Sequence, residues 1–92
     1  MTFSRVMVTG GAGFIGSNFI NYILSNYPEV FVLNVDLLTY AGSLENLRNL
    51  PTGAKYTFVK ADICDQETIA QLLRLHQIDA VVHFAAETHA RS

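Results

Sequence analysis

Thr9-Gly10-Gly11-Ala12-Gly13-Phe14-Ile15-Gly16 is the stretch on which the reading of this 92-residue chain turns. Gly10, Gly13 and Gly16 form a G-x-x-G-x-x-G triplet, weak by itself. Its neighbours give it a mechanism. Residues 3–9 (FSRVMVT) are short, rich in β-branched side chains and stop at glycine, which reads as a strand. Residues 13 to about 26 place Phe14, Ile15, Phe19, Ile20, Ile23 and Leu24 at helical spacing, and Pro28 ends the run. In a strand–turn–helix context Gly10 permits the tight turn. Gly13 lets backbone approach a diphosphate where a Cβ would collide, and Gly16 lets the helix pack close to the sheet. The N–H groups of Phe14 and Ile15, at the positive end of the helix, are then donors to phosphate oxygens. A Walker-type loop is excluded, because no Lys-Ser or Lys-Thr follows the glycines.

The pattern continues outward. Residues 30–35 (VFVLNV) are apolar almost throughout, as strands of a parallel sheet covered on both faces are. Ser43 is placed to cap a short helix over 44–50, closed by Pro51 and Gly53. Residues 56–61 read as a third strand. Asp65 is placed to cap a helix over 66–76, with Ile69, Leu72, Leu73 and His76 on one face, and 80–85 (AVVHFA) read as a fourth strand. The order β-α-β-α-β-α-β predicts an α/β fold, a Rossmann-type parallel sheet with helices on both faces and its first four strands present.

Asp36 stands 20 residues past Gly16, at the end of the second strand, where this fold places an acid that accepts hydrogen bonds from the adenosine ribose hydroxyls. The same carboxylate repels a 2′-phosphate by roughly 3 kcal/mol per unit of phosphate charge, taking about 5 Å and an effective dielectric near 20. Leu37 and Leu38 follow, with no arginine, so the expected cofactor is NAD and not NADP. Asp62 and Ile63, after the third strand, border the adenine region in such a fold, as acceptor and apolar wall. Phe84, Ala85 and Ala86 end the fourth strand, where small residues let backbone lie against the middle of a dinucleotide.

Other residues carry less. Tyr56-Thr57-Phe58-Val59-Lys60 spells Y-x-x-x-K, a pairing that works on a helix, where i and i+4 are neighbours. On a strand the two would stand roughly 13 Å apart, so the match is expected to be non-catalytic. His76, His83 and His89 lack metal-ligand spacing; His83 reads as a packed strand residue. Cys64, the only cysteine, has no neighbouring base and reads as inert.

Composition sets outer bounds. Half the residues are hydrophobic and 15% are charged, against about 25% in an ordinary domain, which excludes disorder for most of the chain. A net charge of −2 argues against a nucleic-acid partner. No apolar run is long enough for a membrane span, and no signal-peptide layout opens the chain, so the expected location is cytoplasmic.

Thr9 to Gly16 also resembles the opening of the extended short-chain dehydrogenase/reductase family of sugar-nucleotide enzymes. Asp36-Leu37-Leu38-Thr39-Tyr40-Ala41-Gly42, continuing to Leu44-Glu45-Asn46-Leu47, is more specific and is similar to a stretch of the dTDP-glucose 4,6-dehydratases. Residues 61–65, 79–83 and 85–89 are similar to the same group. At the end, Glu87-Thr88-His89-Ala90-Arg91-Ser92 is one residue shorter than the pattern usual there. The resemblance implies an NAD site lined by Phe14, Ile15, Asp36, Leu37, Leu38, Thr39, Ala41, Gly42, Asp62, Ile63, Phe84, Ala85, Ala86 and Thr88, with Thr88 also reaching the sugar of the substrate. It implies a lyase that oxidises C4 of dTDP-glucose, eliminates water across C5–C6 and returns hydride to C6. The Tyr/Lys and Asp/Glu pairs of that chemistry lie, in the family, beyond the position equivalent to Ser92. Residues 1–92 are thus expected to be the N-terminal part of the NAD-binding domain, inactive alone. Two rival readings are a UDP-sugar epimerase or decarboxylase and a non-catalytic NAD-binding module. Homo-oligomerisation is expected too: the fourth strand, internal in a complete sheet, would be an exposed edge that invites self-association.

Overall fold

The computed structural model describes residues 4–10, 13–37, 47 and 50–84. Among them the order is β1 (Arg5–Thr9), α1 (Phe14–Asn26), β2 (Phe31–Asp36), β3 (Tyr56–Lys60), α2 (Gln66–Leu75) and β4 (Ala80–His83). All pairings are parallel and the strand order is β3-β2-β1-β4. The expected Rossmann-type sheet is therefore present. The helix expected over 44–50 lies mostly outside the described residues; its Leu47 is buried in the core.

Alternation along the strands divides the core into two layers. Val6, Val8 and Val32 face Ile20, Ile23 and Leu24 of α1. Met7, Leu33 and Val35 face the other way, against Ile69, Leu72 and Leu73 of α2. The central strands β1 and β2 are covered on both sides, so nearly every side chain in them is buried. Each large one contributes about 1.5–3 kcal/mol of burial. The α2 layer is thinner: no residue of α2 is buried, and Leu75 and Val81 are largely exposed.

One polar residue interrupts the core. Asn34 is completely buried on the α1 face of β2 and donates from Nδ2 to the Tyr56 hydroxyl at 3.0 Å. Its Oδ1 has no partner among the described residues.

The ends of α2 follow the sequence. Asp65 accepts from the Thr68 N–H (3.2 Å) and hydroxyl (2.7 Å) as its N-cap. Gln77, with φ of 53°, turns the chain toward β4. There Asp79 accepts from the backbone N–H of Ser4 (3.1 Å) and of Arg5 (3.0 Å), tying β1 to β4 at their amino ends. The Ser4 N–H, first, and the Arg5 N–H hold the Asp79 carboxyl below its ordinary value of 3.8; Thr68 does the same for Asp65. A depressed carboxyl contributes stability that is complete above its unfolded value and is lost as pH falls through the folded one. Thermal melts from pH 7 to pH 2 should thus show stability falling from just below pH 4. Asp79→Asn should lower the melting temperature at neutral pH and flatten that acid decline; an unchanged decline would contradict the assignment.

Candidate functional site

The carboxyl ends of β1, β2, β3 and β4 point the same way, because every pairing is parallel. At this edge lie the turn after β1, Asp36 at the end of β2, Asp62 just past β3, and His83 and Phe84 at the end of β4. An open α/β sheet binds its ligands at this edge, where the strand order reverses. The reversal is at β1, which has β2 on one side and β4 on the other.

Gly10 and Gly13 are required for different reasons. The Gly10 N–H still donates to the Val35 carbonyl at 2.9 Å, and Gly10 then leaves the sheet with φ of 75°. A left-handed backbone there favours glycine. Gly13 is the N-cap of α1 at φ −74° and ψ 175°, extended backbone that any residue adopts. Its glycine is not explained by conformation, which leaves room for a close approach as the reason. Gly16 is buried in the first turn.

The start of α1 leaves backbone amides outside the helical ladder. The helical ladder begins with the Ser17 N–H donating to the Gly13 carbonyl at 2.8 Å, so the amides of Phe14, Ile15 and Gly16 stand outside it. No side chain caps this end and no acidic residue occupies the first turn, so the positive end of the helix is not neutralised from within the helix. Ser17 turns its hydroxyl back to the Phe14 carbonyl at 3.0 Å and does not compete for those amides. Phe14 and Ile15 are 75% and 56% exposed, two large apolar side chains held in water beside the turn.

Asp36 is buried, 4% exposed. By strand alternation it shares the α1 face of β2 with Val32 and Asn34. Its charge is felt by Tyr56, whose phenol is raised above its ordinary value by burial; the Asn34 amide acts against the rise and Asp36 adds to it. A tyrosine that accepts a proton from substrate needs the opposite shift. Tyr56 and Lys60 also lie at the two ends of β3, as the sequence predicts, so the Y-x-x-x-K there is not a catalytic pair. Leu37 is exposed.

Asp62 is exposed and one of its oxygens accepts from the Cys64 N–H at 2.9 Å. Ile63 is half-buried. Cys64 is exposed. Phe84 packs on Phe19 of α1, ring centroids 5.6 Å apart. Leu38, Thr39, Ala41, Gly42, Ala85, Ala86 and Thr88 lie outside the described residues. Among the described residues no cluster of three or more His, Cys, Asp or Glu could hold a metal ion. No described helix is long and apolar enough to cross a membrane.

One expectation is corrected. His83 is exposed, not packed, because β4 is the edge of the described sheet and the α2 layer stops short of it. His83 Nδ1 is hydrogen-bonded to the buried Thr9 hydroxyl. The sequence did not single out this pair for the site; only the register that sets Thr9 beside His83 reveals it.

Comparison with known proteins finds clear relatives of this chain. The family model described as GDP-mannose 4,6 dehydratase matches residues 7–92. The dTDP-glucose 4,6-dehydratase of Escherichia coli is 49% identical over 85 residues, which cover 92% of this chain and 23% of that enzyme. Among solved structures, the dTDP-glucose 4,6-dehydratase of Bacillus anthracis in complex with NAD superposes with a TM-score of 0.82 at 38% identity, covering 88% of this chain and 26% of that one. The UDP-glucose 4-epimerase of Stenotrophomonas maltophila with bound NAD superposes at 0.74 and 40% identity, covering 88% and 24%. The chain thus spans about a quarter of the length of the curated relatives it matches.

Proposed function

The chain belongs to the GDP-mannose 4,6 dehydratase family, and on that footing we propose that residues 1–92 are the N-terminal part of the NAD-binding domain of a dTDP-glucose 4,6-dehydratase. The observation that carries this reading is the first turn of α1, uncapped and free of acid, opening directly from the left-handed Gly10 turn at the edge that also holds Asp36.

Each group has a part to play. The amides of Phe14, Ile15 and Gly16 bind the diphosphate, with the helix end favouring its charge. Asp36 accepts from the ribose diol. Asp62 and Ile63 border the adenine, and Phe84 approaches the middle of the cofactor. When bound, NAD supplies the acceptor, and later the donor, of the hydride that leaves the sugar at C4 and returns at C6. Oxidation at C4 acidifies the C5 proton, which permits loss of water. The general acids and bases for those proton movements are not among these 92 residues.

The test is a titration of the 92-residue polypeptide with NAD+, followed by NMR. Saturable shifts at Gly10, Phe14–Ser17, Asp36, Asp62, Ile63 and Phe84 are expected, with no turnover of dTDP-glucose. Binding elsewhere, or none, would overturn the reading, and turnover would overturn its division of labour. A UDP-sugar epimerase or decarboxylase shares the glycine turn and Asp36, but residues 38–42 (LTYAG) favour the dehydratase. Assays of a longer product containing these residues against dTDP- and UDP-glucose separate the two. A non-catalytic NAD-binding module predicts turnover of neither.

The proposed partners are a dTDP-sugar as substrate and a second copy of the chain, in a cytoplasmic setting. β4 ends the strand order with Val81 55% exposed, an open apolar edge able to pair with another strand. Sedimentation at rising concentration should show dimers; a monomer throughout would overturn that pairing.

A further inference from the structure

The geometry points to Thr9 and His83 as a positioning pair that sets the diphosphate-binding turn against β4; the inference rests on the NAD-binding reading above. β1 is where the strand order reverses, and Thr9 is its last residue. Thr9 and His83 are register partners on neighbouring parallel strands, so their side chains project from the same face. Thr9 is buried, 4% exposed, and its hydroxyl meets His83 Nδ1.

The backbone around them is held from both sides. The Phe84 N–H donates to the Thr9 carbonyl at 2.8 Å, and the Gly10 N–H to the Val35 carbonyl at 2.9 Å. One residue further, at Gly10, the chain leaves the sheet. The Thr9–His83 contact is therefore the last side-chain tie between β1 and β4 before the turn begins. β4 is four residues long and pairs on one side only, so its carboxyl end depends on few bonds. Without the tie that end frays, and the turn loses the backing that aims the α1 amides across the crevice.

The chemistry of the pair favours a fixed arrangement. A neutral imidazole accepts at one nitrogen and donates at the other. Engagement of Nδ1 by the Thr9 hydroxyl, which donates to it or accepts from it according to the tautomer, holds the ring in one rotamer. The ring itself is exposed and adds little packing, so alignment can be lost while the fold remains.

The experiment compares wild-type chain with Thr9→Val, His83→Phe, the double variant and His83→Asn. NAD+ affinity is read by NMR titration, and the imidazole nitrogen shifts are read without ligand. Each single variant should weaken NAD+ binding about three- to tenfold, the worth of one hydrogen bond. The double variant should lose no more than either single one. His83→Asn, whose amide reaches Thr9 from the Nδ1 position, should recover most of the loss. Melting temperatures should fall little, and the imidazole Nδ1 shift should differ between wild type and Thr9→Val, where its hydrogen bond is lost. Wild-type affinity in the single variants, or losses that multiply in the double, overturns the positioning role alone. A wild-type chain that binds no NAD+ but keeps the hydrogen-bonded Nδ1 shift overturns the cofactor reading, and this inference with it.

Discussion

Asp36→Asn is expected to abolish the preference for NAD+ over NADP+ that the NAD-binding proposal gives this chain. The carboxylate opposes a 2′-phosphate by roughly 3 kcal/mol per unit of charge at about 5 Å and an effective dielectric near 20. Its neutralisation should therefore raise NADP+ affinity by at least about 100-fold, the worth of one unit of phosphate charge. NAD+ affinity should fall about tenfold, because hydrogen bonds from the ribose diol to a charged acceptor are stronger than to a neutral amide. Asparagine has the carboxylate's shape, so the buried site at the end of β2 can keep its packing. Affinities for both cofactors, measured on the same preparation, check the result. An unchanged ratio would mean that Asp36 does not face the ribose. The variant carries an internal control. Asp36 contributes to the rise of the Tyr56 phenol, after burial, so its loss should move Tyr56 part of the way back toward its ordinary value. A phenol titration that does not move would show that the charge removed was not beside Tyr56.

The parts of this architecture legible in the sequence are those written in short-range pattern. The glycine spacing, the apolar runs of β1 and β2 and the Asp65 cap each depend on residues within a few positions, and each is found where expected. The two-faced core follows from runs such as Val6-Met7-Val8, whose neighbours face opposite helices. The dismissal of Tyr56 and Lys60 also needed only the local state of the chain, a strand.

What the sequence left dark is long-range. Asn34 reads as a blemish in an apolar strand, yet it is fully buried and bonded to Tyr56, 22 residues away. His83 was misread because packing on a strand depends on what lies beyond it, and pairing order is not local. The Thr9–His83 contact joins residues 74 apart and exists only once β1 and β4 are in register. The candidate site is legible to the same extent: the end proposed to hold a diphosphate is a local strand–turn–helix, whereas its reach toward β4 is set by strand pairing.

Gly13→Thr and Gly10→Thr should separate binding from folding, since the two glycines are required for different reasons. Gly10 sits at φ of 75°, which a β-branched residue reaches only with strain. The conformational cost is about 1–2 kcal/mol or more, a large part of the roughly 5–15 kcal/mol available to a small domain. Gly10→Thr should thus unfold at markedly lower temperature and bind NAD+ poorly for that reason. Gly13 adopts φ −74° and ψ 175°, which threonine takes without strain, and it is the N-cap of α1, which has no side-chain cap. A threonine hydroxyl there can accept from a first-turn amide, so Gly13→Thr should melt no lower than wild type. NAD+ affinity should nonetheless fall at least about 30-fold. The new Cβ occupies the space the diphosphate needs, and the hydroxyl competes for an amide that would bind it. Melting curves and NAD+ titrations on both variants give the answer. If Gly13→Thr folds as stably as wild type and still binds NAD+ as tightly, no diphosphate lies against the start of α1.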